Sequence, residues 1–76
     1  SPVDLSPLEY RLVSYLAHHR DRIVPPGELI EHLYGDDDAR EANALEALMT
    51  RLRRKLGASA IETRRGFGYR LAGSAA

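Results

Sequence analysis

The chain has 76 residues, with 11 basic and 11 acidic side chains, three histidines and no cysteine. This length makes one small domain, near the lower limit for a single unstapled core, and the missing cysteine excludes disulfides and thiolate metal sites. Apolar runs are too short to cross a bilayer, no secretory signal pattern opens the chain, and a reducing cytoplasm fits without being required. A net charge of zero argues at first against a polyanionic partner, but its distribution reverses that reading. Residues 1–46 carry 4 basic and 10 acidic side chains, a net −6, whereas residues 47–76 carry 7 basic and 1 acidic, a net +6. For a polyanion the local field of that last third matters more than the sum.

In chain order, Ser1 to Leu5 reads as a short extended piece, since Pro2 disfavours helix and Val3 and Leu5 alternate with Asp4. Ser6-Pro7-Leu8-Glu9 is a helix start: Ser6 suits the N-cap, Pro7 the first helical position, and Glu9 completes a capping box. Leu8, Leu12, Val13 and Leu16 then form a helical apolar stripe, with Tyr15 at its edge, to about His19 or Arg20. Ile23 and Val24 leave room only for a small strand or a buried connector, which Pro25-Pro26-Gly27 ends. Pro26 suits the start of a second helix over Glu28 to Leu33, with Leu29, Ile30 and Leu33 inward and Gly35 as its stop.

Asp36, Asp37, Asp38, Ala39 and Arg40 form a charged connector. It is read as a solvated turn with acidic charge near the next helix's N-terminus. It lacks the alternating ligands, mid-loop glycine and closing glutamate of a calcium loop. From Glu41 to Gly57 the pattern is again helical. At roughly 100° per residue, Leu45, Leu48, Met49, Leu52 and Leu56 share one apolar arc, with Leu48 at the core's edge. Asn43, Ala47, Thr50 and Arg54 line up opposite, with Arg51 beside them. A polar face with small residues at its middle and arginines around them suits a DNA major groove. An ordinary solvated face, a membrane surface or a partner protein would suit it too.

After a short Ala58-Ser59-Ala60 turn, Ile61-Glu62-Thr63-Arg64 pairs with Tyr69-Arg70-Leu71 across Arg65-Gly66-Phe67-Gly68, as a hairpin. The glycines there do not make a phosphate loop, because the strand–loop–helix context is missing. Gly73 to Ala76 reads as a mobile tail. The expected fold is mainly α with a small β part. It is a winged helix-turn-helix with three helices and a C-terminal β-hairpin wing, although the connector before the third helix is longer than a tight turn.

The stretch from Leu5-Ser6-Pro7-Leu8-Glu9 through Leu45, Met49 and Arg51-Leu52-Arg53-Arg54-Lys55-Leu56 to Ile61-Glu62-Thr63-Arg64-Arg65-Gly66-Phe67-Gly68-Tyr69-Arg70-Leu71 resembles the OmpR/PhoB-type effector domain of bacterial two-component response regulators. The resemblance covers residues 3–72, taken as the ordered core of a single domain over 1–76. It implies a cytoplasmic transcription factor without cofactor. Helix 41–56 would enter the major groove of double-stranded DNA, with wing 61–71 at the minor groove and backbone. Groove-facing positions fall on Asn43, Ala47, Thr50, Arg51 and Arg54. Arg51 is the expected main base reader, Asn43 is expected on adenine or phosphate, and Thr50, Arg53 and Arg54 are expected on the backbone. In the wing, Thr63 and Tyr69 match phosphate-contacting positions, Arg65 the minor-groove tip, and Arg64 is expected to add a phosphate contact. The Asp36, Asp37, Asp38 and Arg40 loop corresponds to the segment that touches RNA polymerase. The resemblance further implies tandem binding to direct repeats, an upstream receiver domain and a sensor histidine kinase.

Leu48 stands where the family commonly has a polar residue. Pro25 replaces the usual hydroxyl N-cap, so an irregular helix start is expected, and Arg64 replaces an apolar residue. Only Val3-Asp4-Leu5 could represent the family's N-terminal sheet, so the chain reads as a C-terminal fragment of a longer regulator. The alternative is a winged-helix module for dimerisation or polymerase docking with weak DNA affinity. An enzyme is not expected: His18, His19 and His32 show no metal or catalytic spacing, and His18 and His19 suit a helix C-terminus.

Overall fold

In the computed structural model, which describes residues 4–35 and 39–72, three helices precede an antiparallel hairpin. They are α1 (Pro7–His18), α2 (Pro26–Tyr34) and α3 (Ala39–Leu56), followed by β1 (Ile61–Arg64) and β2 (Gly68–Leu71). Each boundary has a local cause. Ser6 adopts extended backbone, its hydroxyl accepts from the Glu9 N–H at 3.3 Å, and its own N–H donates to Glu9 Oε1 at 2.8 Å. This closes the expected capping box and satisfies two donors that a helix start otherwise leaves orphaned. The helix ends at His18, slightly earlier than the apolar stripe suggests, with the His19 N–H turned back to the Leu16 carbonyl at 3.1 Å.

Pro25 caps α2 without any side-chain hydrogen bond, yet the helix runs regularly from Pro26. The expected irregularity is absent because Pro26 has no N–H to satisfy and its fixed φ already suits a helix. The first backbone bond, from Leu29 N–H to the Pro25 carbonyl, measures 3.2 Å. Gly35 ends α2 at φ +78°, with its N–H on the Glu31 carbonyl at 2.8 Å. The third helix starts two residues before the expected Glu41. Ala39 and Arg40 are good helix formers, and nothing in their chemistry breaks the turn.

The core joins Leu12 and Leu16 of α1, Val24, the Leu29, Ile30 and Leu33 face of α2, the Leu45, Leu48, Met49 and Leu52 arc of α3, and Ile61. Leu48, expected at the edge, is 1% exposed. The core cluster, to which α1, α2, Val24 and Ile61 also contribute, extends the buried arc of the helix further than periodicity alone indicates. Asp4 and Leu5, expected in a strand, carry no strand pairing, while Val3 lies outside the described residues. Instead Leu5 packs against the core, and the Asp4 carbonyl accepts from Lys55 Nζ at 2.9 Å.

The hairpin pairs Ile61 with Leu71, Glu62 with Arg70, Thr63 with Tyr69 and Arg64 with Gly68. Its tip turns where the Phe67 N–H meets the Arg64 carbonyl at 2.9 Å, with Gly66 at φ +82° as the third residue of the turn. A type II turn needs a positive φ at that position. Val24 adds a one-residue bridge to the sheet, exchanging both backbone hydrogen bonds with Tyr69 at 2.7 and 2.9 Å. The bridge seats the wing beside the start of α2, and it depends on Gly68. A Cβ at Gly68 would lie 2.0 Å from the Val24 carbonyl oxygen, and the residue sits at φ +148°.

Candidate nucleic-acid interface

Because α3 buries its leucine arc, the opposite strip must face outward, and Asn43, Ala47, Thr50, Arg51 and Arg54 are all exposed. The strip has two flanks. On one, Arg51 Nε lies 3.5 Å from Glu9 Oε2 of α1, with 54% of the Arg51 side chain still exposed. On the other, Arg53 is half-buried and donates to the Ile61 carbonyl at 3.3 Å and to the Thr63 hydroxyl. Arg53 and Thr63 are therefore engaged with each other, tying α3 to β1. Thr50 also has an internal partner, donating its hydroxyl to the Glu46 carbonyl one turn back at 3.0 Å. Arg54 projects with no ion pair among the described residues.

The tie between Arg53 and Thr63 brings the helix and the wing to one surface. A cleft of about 230 Å³ between them is lined by Glu46, Met49, Thr50, Arg53, Thr63 and Tyr69. A second hollow of about 350 Å³ shares Glu46, Thr63 and Tyr69 and continues past Arg64, Arg65 and Phe67 to the wing tip. Burial, with the charge of Glu46 adding to it, pushes the Tyr69 phenol up, so it stays a neutral hydroxyl. Strand alternation sends Glu62 and Arg70 to the other face of the wing, where they pair at 2.8 Å. Arg64 shares that face, with Nη2 3.9 Å from Glu62 Oε2. Arg65 at the tip is exposed.

Of the residues singled out in the sequence, Asn43, Ala47, Thr50, Arg51, Arg53, Arg54, Thr63, Arg65 and Tyr69 thus lie along α3 and the wing, and Arg64 is partly drawn away by Glu62. Asp36, Asp37 and Asp38 lie outside the described residues, as does the Arg40 side chain. Two further residues belong to this surface. Phe67 is 68% exposed at the tip, and its place between two glycines of a hairpin was the signal for it. Glu9 looked like a helix cap and nothing more, because its contacts with Arg51 and Lys55 cross more than forty residues. Among the described residues no group of three or more His, Asp or Glu is placed to hold a metal ion, and no helix is long and apolar enough to cross a membrane.

A helix-turn-helix core whose third helix is flanked by a seated β-hairpin defines a winged-helix domain of the DNA-binding class. The chain matches the family model described as "Transcriptional regulatory protein, C terminal" over residues 1–71. It therefore belongs to the OmpR/PhoB-type effector domains of transcriptional regulators, a family of regulators rather than of enzymes. It is 47% identical over 72 residues to the two-component response regulator PhoP of Pseudomonas aeruginosa, covering 90% of this chain and 32% of that protein. The chain thus spans about a third of the length of the curated relatives it matches. Among solved structures, the DNA-binding domain of Klebsiella pneumoniae RstA in complex with the RstA box superposes with a TM-score of 0.81. It is 29% identical, and the match covers 92% of this chain and 74% of that one. The C-terminal domain of the nisin resistance regulator NsrR is 40% identical with a TM-score of 0.76, covering 91% and 74%.

Proposed function

We propose that this domain binds double-stranded DNA sequence-specifically to regulate transcription, as the output domain of a phosphorelay response regulator. In this reading α3 lies in the major groove. Arg51 reads a base, Asn43 hydrogen-bonds to adenine or phosphate, Ala47 allows close approach, and Thr50 and Arg54 face the backbone. Arg53 joins them, supporting the wing while its remaining donors reach toward phosphate. The wing lies over the adjacent minor groove, with Arg65 and Phe67 at its tip and Thr63, Arg64 and Tyr69 along its side. The observation that carries the reading is the continuous surface from the exposed α3 strip to the Arg65 tip, held together by the Arg53–Thr63 contact and the Val24–Tyr69 bridge. The RstA domain, of the same fold, was captured on its own DNA box.

Residues 1–76 form one domain of a longer cytoplasmic protein, in which a receiver domain addressed by a sensor histidine kinase precedes it. Two copies bind direct repeats in tandem, and Asp36, Asp37, Asp38 and Arg40, ahead of and at the start of α3, meet RNA polymerase. No cofactor is needed. A salt titration of binding to duplex DNA tests the core of this reading. Log affinity should fall with log salt at a slope of about −0.9 for each phosphate neutralised. A flat dependence, or no binding at low salt, defeats it.

A protein-contact reading draws on a different surface. The groove of about 470 Å³ between α1 and α2 is lined by Tyr10, Arg11, Ser14, Tyr15, His18, His19 and His32, and Tyr10 is 64% exposed. An NMR titration with duplex DNA separates the two readings, because the first perturbs α3 and the wing whereas the second leaves them unmoved.

A further inference from the structure

Glu9 is the buried charged side chain among the described core residues, at 1% exposure. Its two oxygens are used differently. Oε1 accepts from the Ser6 N–H at 2.8 Å, closing the helix cap, and from Lys55 Nζ at 2.6 Å. The Lys55 bond and the Ser6 N–H hold the carboxyl down to about 2, so the group is an anion throughout the neutral range. Oε2 faces the Nε of Arg51 at 3.5 Å. A cap at this position needs only one acceptor, and glutamine serves as well as glutamate. The second oxygen and the negative charge are therefore surplus to the cap.

The contact engages Arg51 at Nε, the guanidinium nitrogen nearest its own backbone. The two terminal nitrogens meet no partner among the described residues, and 54% of the side chain is exposed. A guanidinium drawn toward a carboxylate at Nε, by charge at 3.5 Å rather than by a hydrogen bond, keeps its outer fork free, and that fork matches the O6 and N7 acceptors of guanine. An unanchored arginine must lose its side-chain freedom at the moment of contact, and it reaches phosphate as readily as a base. Ordering it beforehand removes part of that cost and narrows the set of acceptors within reach.

We propose that Glu9 is a positioning residue for base recognition, fixing Arg51 so that its outer nitrogens face the major groove. The inference rests on the reading of Arg51 as the base reader. Part of the domain's attraction for phosphate is given up, since an anion sits beside the cationic strip, and discrimination between bases is gained.

The test uses a duplex recovered by selection with the wild-type protein, and the same duplex with each guanine replaced in turn. Wild type and Arg51→Ala together identify the base pair that Arg51 reads, as the replacement that costs wild type about tenfold or more and costs Arg51→Ala little. Glu9→Gln keeps the cap and removes the charge. It should shrink that preference several-fold while binding the mismatched duplex as well as wild type or better, and Glu9→Gln with Arg51→Ala should match Arg51→Ala alone. A full preference in Glu9→Gln overturns the inference and leaves the DNA-binding reading standing. An unchanged base preference in Arg51→Ala removes both the Arg51 assignment and the inference. A measurement on the unmutated domain guards against a variant that fails to fold. Side-chain 15N relaxation should show Arg51 Nε more ordered than Arg54 Nε in the free protein, and equal mobility of the two counts against the proposal.

Discussion

The two ends of the domain treat their arginines in opposite ways. Between α1 and α2, Arg22 is locked: its two terminal nitrogens donate to Glu28 at 2.9 and 2.5 Å. The Tyr15 hydroxyl donates to the same carboxylate, and the Tyr15 ring lies 4.5 Å from His19 and 4.2 Å from His32. On the α3–wing surface, Arg54 and Arg65 are exposed and have no ion pair among the described residues. A guanidinium whose two terminal nitrogens both grip one carboxylate acts as a strut, whereas one with a free fork is available to a ligand. Exposure alone does not make an interface, since Arg11 and Arg20 of the α1 end are exposed as well. What distinguishes Arg54 and Arg65 is that two separate elements are fastened together beside them. The strongest ways to break the contrast therefore act on that fastening.

Gly68→Ala should have the largest effect. The added Cβ would meet the Val24 carbonyl carbon at 2.6 Å and the Pro25 Cα at 2.9 Å, besides the carbonyl oxygen, and all three are backbone atoms that cannot rotate away. Backbone strain at positive φ adds to the clash, for an expected loss of about 3 kcal/mol or more. Urea denaturation should show a much lower midpoint, or no folded baseline, and DNA affinity should fall with it. A midpoint equal to wild type would mean that the wing is not seated on Val24.

Acid should act on two buried or half-buried carboxylates, Glu28 beside Arg22 and Glu9 beneath α3. Arg22, with the Tyr15 hydroxyl assisting, holds Glu28 from its ordinary 4.5 down to about 2. Lys55 does the same for Glu9. A carboxyl depressed on folding contributes stability that is complete above its unfolded value and lost as the pH falls through its folded value. Stability should thus be nearly constant from pH 7 to 5 as far as these two groups are concerned, and fall between about pH 4.5 and pH 2. Glu28→Gln should shrink that acid limb and leave the salt slope of DNA binding at pH 7 unchanged. Denaturation curves across this range provide the check, and an identical acid limb in Glu28→Gln would show that the Arg22 pairing is not a strut.

The contrast between the ends was only partly legible in the sequence. The Ser6–Glu9 cap, the Gly35 stop, the α3 leucine arc and the hairpin were legible because each depends on residues a few positions apart. The local reading failed where distant residues decide. Leu48 is fully inside the core, and Asp4 and Leu5 carry no ladder, the Asp4 carbonyl bonding instead to Lys55. The family resemblance puts Arg53 on the DNA backbone, and the structure adds a second engagement, a donor spent on Thr63. Helical angle places Arg54 on the outward strip and Arg53 off it, but that Arg53 meets Thr63 depends on where the folded wing lies, ten residues further on.

That difference gives the smallest and most selective prediction. Arg54→Ala removes a side chain with no ion pair among the described residues, so stability should stay within about 0.5 kcal/mol of wild type. Binding to every duplex should nevertheless weaken alike, and the log–log salt slope should become shallower by about 1, since one phosphate contact disappears. The same substitution at Arg53 should instead lower both stability and affinity, because the tie between α3 and the wing goes with it. Thermal melting beside a salt titration separates the two outcomes. If the two variants behave alike in both assays, the Arg53–Thr63 contact contributes nothing measurable, and the helix and wing owe their common surface to the Val24–Tyr69 bridge alone.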